Sequence, residues 1–430
     1  MRHIAWPAGV ILTLTVSSPV CADFYHYADI IVGDQAASMG GAYGAIADDS
    51  SAIYYNPAGL AQVRADAVSA SMNAYHGART LVKDLFEEDY HRRSGQLVPV
   101  FLGGTSQTIL PTGWTAGYGI FVPDSQSVSR DETIHDDALN KIDRWHHMLK
   151  TEETATYIGA AAGRQFGDTS VGFGMNIIQF DRLFLQTING RYGPFSGEGA
   201  DPAIFFNQFT TTREELTVLA LEPTLGTIQS VGDWRFAVSG RQALIVDQRS
   251  KVSVDNYELI TSADNDEPTG DDSFNRAEDV MTKDHPLRSW PGNLRFGVAR
   301  RTFGWDLAAD LTYFGAAQKP NVVYRRHPVL KLALGARTAG GVNTHAFGVF
   351  TNADARPEVT KDSASGSEHV SFLGMTYGVS HSPDPKTRYS LSLMVQLGKG
   401  LGQFDGRPGR EPQEILTQAF GIGGAIATGS

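Results

Sequence analysis

Twelve histidines and 47 acidic residues supply the raw material for catalysis or metal binding, and their spacing argues against both. No Gly-x-Ser-x-Gly element is present, and no histidine stands where it would recruit a serine and an aspartate into a hydrolytic triad. His146 and His147 are adjacent, inside a charged run from Glu132 to Lys150 that reads as helical. Neighbours on a helix diverge by about 100°, so the two rings make poor joint metal ligands and read as surface groups. The cluster Asp264, Asp266, Glu267, Asp271 and Asp272 lacks the ligand spacing and closing glutamate of a calcium loop and reads as a solvated loop. Gly421-Ile422-Gly423-Gly424 looks like a dinucleotide turn, but no helix follows it. The chain is therefore expected to be no enzyme, with no metal and no cofactor.

Composition narrows the class further. Formal charge is −11, and no Lys/Arg-rich run interleaves with aromatics, so nucleic acid is not an expected partner. Hydrophobic residues make up 41% and charged residues 19%, with 46 Gly, 15 Tyr, 22 Phe and 6 Trp. That mix suits strands with aromatic girdles, though soluble β-proteins share it. Residues 1–22 are set aside: Arg2 and His3 precede an apolar run to Val16, and Val20-Cys21-Ala22 offers a small-residue cleavage site, as in a secretory signal peptide. Beyond it no apolar stretch reaches the roughly 18 residues of a spanning helix, so any membrane crossing is by strands.

Period-two segments follow one another from residue 65 onward, at about 65–75, 96–105, 114–122, 154–166, 170–184, 215–228, 234–246, 293–301, 305–314, 329–338, 344–351, 370–380, 388–398 and 415–428. Tight turns and long polar connections alternate between them without exception, the pattern of a chain threaded through a bilayer from one side. In the thirteenth segment Tyr389, Leu391, Leu393, Val395 and Leu397 share one face and Ser390, Ser392, Met394 and Gln396 the other. Arg235, Arg241, Arg295, Asp306 and Asp310 must then point into the lumen, because a charge at mid-membrane depth on the lipid face costs about 2–4 kcal/mol. Pro223 removes a ladder donor from the sixth segment and predicts a bulge there. The fold class is thus all-β: a transmembrane antiparallel barrel of about fourteen strands, residues 65–430, preceded by an N-terminal hatch, residues 23–64, inside the lumen.

The hatch segment carries Ala37-Ser38-Met39-Gly40-Gly41-Ala42-Tyr43-Gly44-Ala45-Ile46-Ala47-Asp48-Asp49 and then Ser50-Ser51-Ala52-Ile53-Tyr54-Tyr55-Asn56-Pro57-Ala58-Gly59-Leu60. Small residues there permit close packing against a wall, and Asn-Pro ends regular structure at a fixed point. This run resembles the hatch of the outer-membrane long-chain fatty acid transporter family, including its Asn-Pro-Ala element. Trp290-Pro291-Gly292-Asn293-Leu294-Arg295-Phe296-Gly297-Val298-Ala299 is similar to a later strand of that family.

The resemblance implies capture of a hydrophobic ligand on outward loops, passage into the lumen, and lateral release past the hatch. By order, the connections 185–214 and 247–292 correspond to the ligand-catching loops, so Phe195, Phe205, Phe206 and Phe209 are candidate capture residues, with Phe195, Phe205, Phe206 and Phe209 equally able to pack the loops together. Asn56, Pro57 and Ala58 are the candidate gate. Gly117 and Gly119 share a face of the third segment and are the candidate lateral exit, curvature being the alternative use of two such glycines. Expected partners are a hydrophobic small molecule, outer-membrane lipid and lipopolysaccharide, and the barrel-assembly machinery during insertion, at a Gram-negative outer membrane. The runner-up function is a secretion-system barrel acting as protein shuttle or scaffold.

Overall fold

In the computed structural model residues 26–27, 30–63, 66–85, 88–136, 142–195, 204–262, 273–277, 290–316, 326–363, 367–384, 386–403 and 411–429 are described. Their strands are β1 (Ala67–Leu85), β2 (Glu88–Ser106), β3 (Trp114–Asp136), β4 (Ile142–Phe166), β5 (Thr169–Phe195), β6 (Ile204–Val231), β7 (Trp234–Arg241), β8 (Leu244–Ser262), β9 (Ser273–Ala277), β10 (Asn293–Thr302), β11 (Trp305–Phe314), β12 (Val329–Thr338), β13 (Asn343–Asn352), β14 (Ser367–Asp384), β15 (Thr387–Gln403) and β16 (Gln413–Gly429). β7 and β8 are two halves of one barrel strand, both paired with β6, and β9 is a short extension paired with β8. The barrel therefore has fourteen strands. It closes by two pairings, β16 with β1 and β5 with β6.

Period two sets the two faces. Leu391, Leu393, Val395 and Leu397 of β15 stand outward and exposed, while Gln396 is buried inside. In β11, Leu307, Leu311 and Tyr313 face out, and Asp306 and Asp310 are buried. Arg295 is buried as well, Arg241 lies against Glu222, and Arg235 donates to Gln62, so the five charges expected in the lumen are there. A continuous outward apolar belt of this kind has no counterpart on a water-soluble domain. A closed, even-stranded barrel wearing such a belt is the architecture of the Gram-negative outer membrane.

Tight turns connect the strands at the end where the belt stops. In the β10–β11 hairpin Phe303 (φ 49°) and Gly304 (φ 77°) both take the left-handed conformation of a two-residue turn. At the opposite end the described residues of the first three connections expected as long loops, and of the start of the fourth, are ladder. β1 pairs with β2 as far as Leu85–Glu88, and β3 with β4 as far as Asp136–Ile142. Within the run Glu132 to Lys150 the described residues, 132–136 and 142–150, are thus strand, with Thr133 opposite His146, where a helix was expected. The reason is that a neighbouring strand already offers a full set of backbone partners, which outweighs the modest helical preference of a charged segment. β3 to β6 run 23, 25, 27 and 28 residues, whereas β10 to β13 run 10 each, so one side of the wall stands far taller than the other.

Pro223 falls at a gap in the β6 ladder that keeps its register, Leu221 pairing with Leu244 and Thr224 with Arg241, while Gln242 and Ala243 lie between β7 and β8; the bulge expected at Pro223 lies instead between Leu219 and Ala220. The missing donor turns a single long strand into two halves.

Candidate functional site

Residues 30–63 pack against inward-facing wall side chains. They form two short helices, α1 (Asp34–Ser38) and α2 (Ala52–Tyr55), and a 3-10 helix, Pro57–Gln62. Pro57 opens the last of these at the position where its absent N–H is not missed, and Asn56 caps it by accepting from the Ala58 N–H at 3.1 Å. The Asn56 amide also donates to the carbonyls of Gly44 (3.1 Å) and Thr227 (3.2 Å), tying this helix to the segment and to β6. Asn56 is fully buried.

Two further ties hold the segment to β11 and β12. Asp310 accepts from the backbone N–H groups of Tyr43 (3.0 Å) and Gly44 (2.7 Å), and Arg295 approaches the same oxygen at 3.5 Å. Arg337 donates to Asp48 (2.8 Å) and Asp306 (3.2 Å) and also meets Gln35. Glycines line the contact. A side chain at Gly172 would collide with the Pro57 carbonyl group, at Gly226 with Asn56, at Gly348 with Met39 and Gly40, and at Gly378 with Ser38. These close approaches were a readable signal, since the glycines recur at inward positions of period-two strands, and sequence reading passed over them.

Above this segment lies a pocket that is partly open to solvent. Its rings are Tyr27, Tyr54, Tyr157, Phe180, Trp290 and Phe314. Asp124, Glu153, Glu222, Arg241 and Arg326 add charge. Each guanidinium described there lies on a ring: Arg241 is 4.2 Å from the centre of Tyr54, and Arg326 is 5.2 Å from Tyr27 and 5.3 Å from Trp290. Glu222 accepts from the Asn176 amide at 2.9 Å and faces Arg241 at 3.8 Å. Burial pushes the Tyr54 and Tyr27 hydroxyls above their ordinary range, so both remain neutral donors.

The pocket reaches an interruption in the wall. β2 and β3 pair only from Ser106–Ala116 to Phe101–Phe121, although both strands continue upward. In that register Pro99 and Pro123 stand opposite each other, and neither has an N–H to give. Each strand also bulges there: Val100 is skipped in the pairing with β1, and Val122 and Pro123 in the pairing with β4. Rings lead from pocket to seam, with Tyr54 5.3 Å from Phe121, Tyr157 5.2 Å from Phe121, and Phe121 6.5 Å from Phe101. The Ile30 N–H donates to the Pro123 carbonyl at 2.9 Å, the place a ladder partner would hold.

Gly117 and Gly119 lie just below this seam, still inside the paired stretch, opposite Thr105 and Gly103. A Cβ at Gly117 would sit 2.8 Å from Leu60 and 3.0 Å from Ile53, so this glycine faces the inner segment. One at Gly119 would meet the Leu102 carbonyl oxygen at 2.9 Å. Phe195, Phe205, Phe206 and Phe209 fall on the β5–β6 hairpin, where an irregular loop was expected. Phe195 pairs with Ile204, Tyr192 with Phe206, and Asn189 with Phe209. Phe209 is exposed, and the side chains of Phe195, Phe205 and Phe206 are outside the described set, as is the acidic cluster from Asp264 to Asp272.

No protein-family model matches this sequence, and no curated protein does. Solved structures do. A Pseudomonas aeruginosa FadL homologue superposes with a TM-score of 0.61 at 11% identity, over 94% of this chain and 99% of that one. The toluene transporter TodX of P. putida gives 0.60 at 10% identity, over 94% and 99%. The chain has the FadL-type barrel fold. The Ralstonia pickettii toluene transporter TbuX agrees, with a TM-score of 0.55 at 12% identity over 93% and 99% of the two chains. At such identities the FadL-type likeness is one of backbone, and the lining of this pocket has to be judged on its own chemistry.

Proposed function

We propose that this protein is an outer-membrane channel that takes up hydrophobic small molecules, receives them in the aromatic pocket, and releases them sideways through the β2–β3 seam. The observation that carries this reading is the placement of the pocket beside a wall interruption bounded by two opposed prolines, above a packed inner segment that occupies the straight route down. A ligand that prefers hydrocarbon to water gains from leaving into the bilayer, at about 25 cal/mol per Å² of apolar surface. The similar fold of proteins described as a FadL homologue and as toluene transporters supports the same class.

In this scheme Asn56, Pro57 and Ala58 hold the hatch in register with β6, and residues 30–63 act as the gate. Phe209 and its neighbours on the β5–β6 hairpin catch ligand at the tall side of the barrel. The exit lies at Pro99 and Pro123, with Gly117 and Gly119 forming the sill on which the hatch rests. Lipid and lipopolysaccharide surround the belt, and insertion uses the barrel-assembly machinery.

Native mass spectrometry of the barrel purified from bacterial membranes is the direct test. Co-purified apolar molecules, lost when Tyr157→Ala and Trp290→Ala open the pocket lining, are expected. A barrel that carries none and admits no apolar fluorophore into reconstituted vesicles removes the proposal.

A further inference from the structure

Two arginines on the outer surface of the barrel have aromatic neighbours and, among the described residues, no ion pair. Arg164 of β4 pairs with Trp114 of β3, and its guanidinium carbon lies 4.9 Å from the ring centre of Phe166 and 5.9 Å from that of Trp114. Trp114 meets Phe173 edge-on at 5.7 Å. Arg300 of β10 pairs with Trp234 and Leu307, both exposed on the lipid side, and lies 5.0 Å from the Trp234 ring centre. Trp234 stacks on Phe236 at 6.2 Å. Neither arginine makes an ion pair among the described residues, whereas Arg301, next along β10, is bonded to Asp306.

Their heights match. Arg164 precedes the turn residue Gly167 by three positions, and Arg300 precedes Phe303 by three, so both stand at the tight-turn end of the belt. Short turns mark the periplasmic side of such a barrel. A cation facing hydrocarbon persists only where it reaches the headgroup layer, and tryptophan rings mark that layer. A guanidinium held over an aromatic ring and bonded to no carboxylate keeps its planar fork of N–H groups for two phosphate oxygens.

We infer that Arg164 with Trp114 and Phe166, and Arg300 with Trp234, are two binding sites for the phosphodiester headgroup of anionic phospholipid in the periplasmic leaflet. The guanidinium takes the phosphate, and Phe173 and Phe236 flank the first acyl carbons. The two sites lie on one arc of the rim, with β5 and β6 between β4 and β7. This assignment is independent of what the lumen carries.

The test is native mass spectrometry of the full-length barrel in mild detergent with equal phosphatidylglycerol and phosphatidylethanolamine. Wild type is expected to retain two phosphatidylglycerol molecules, Arg164→Gln and Arg300→Gln one each, and the double variant neither, occupancy falling roughly fivefold per site. The heat-dependent gel shift of a folded barrel is read in parallel. Should a glutamine variant fail to fold, Arg164→Lys with Arg300→Lys keeps the charge and loses the fork, and a drop of about twofold is expected. Inorganic phosphate alone is expected not to displace the lipid. Equal retention of the two lipids, undiminished phosphatidylglycerol on the folded glutamine or lysine double variant, or displacement by inorganic phosphate overturns the assignment.

Discussion

Asn56 shows how much one side chain can fix. Its oxygen caps a helix, its amide reaches the hatch and β6 together, and Gly226 leaves it the room. Asn56→Ala removes three hydrogen bonds at a buried point, and about 1–3 kcal/mol of hatch attachment should go with them. The expected outcome is faster hydrogen exchange across residues 30–63 with the barrel strands unchanged. Asp48 gives the pH dependence. Burial raises its carboxyl, but Arg337 and the Tyr43 hydroxyl outweigh burial and hold it below the ordinary range. A depressed carboxyl contributes its stabilisation above about pH 4, the unfolded value, and loses it as pH falls through the lower folded value. Asp49 is shifted upward, by burial and by the charge of Asp34, so its contribution has the opposite sign: its ionisation costs stability above about pH 4, and that cost is relieved as pH falls through the raised folded value. Hatch exchange should therefore not rise from pH 7 to pH 5 and should rise only below about pH 4, and Asp48→Asn should loosen the hatch at pH 7 and abolish that acid step. At this scale Arg241, Arg295, Asp306 and Asp310 were legible as lumen residues, because hydrocarbon leaves them no other side. Their partners on the adjacent strands were not, since which side chains meet depends on the register of each pair.

Among the elements, β2 and β3 decide the most. Each is an ordinary strand until Pro99 and Pro123, where two missing donors and two bulges coincide and the ladder stops. Replacing both prolines by valine returns two N–H groups to the edge. With about 0.5–1.5 kcal/mol net per bond, the seam should close more often by roughly tenfold. Lateral release of an apolar fluorophore into surrounding bilayer should slow accordingly, while its binding in the pocket stays intact; unchanged release would show that ligand leaves elsewhere. The prolines themselves were visible in the sequence. That they face each other was not, because register across a hairpin follows from the pairs beneath. The tall hairpins teach the same lesson from the other direction. Apolar alternation located each strand only as far as the bilayer enforces it, so Glu132 to Lys150 lost its pattern above the membrane and looked like something else. The ladder continued, since backbone pairing needs a neighbour and no particular side chain.

For the whole molecule, a fourteen-strand wall encloses more space than its side chains can fill, and residues 30–63 occupy the difference. Removing residues 26–63 should leave a folded barrel that conducts ions in a planar bilayer where the complete chain is closed; a truncated barrel that stays closed would assign the seal to the wall itself. The sequence by itself determined the class of architecture, because a chain in hydrocarbon must satisfy every backbone group within a closed sheet, and that requirement writes period two, turn length and charge placement directly into residue order. Only the tertiary structure decided where the β2–β3 ladder stops, what lines the pocket, and which arginines, among the described residues, face lipid without an ion pair. Those depend on strand register and on contacts between residues distant in sequence, and the closure of the sheet, set by cooperative pairing around the whole ring, is what brings them together.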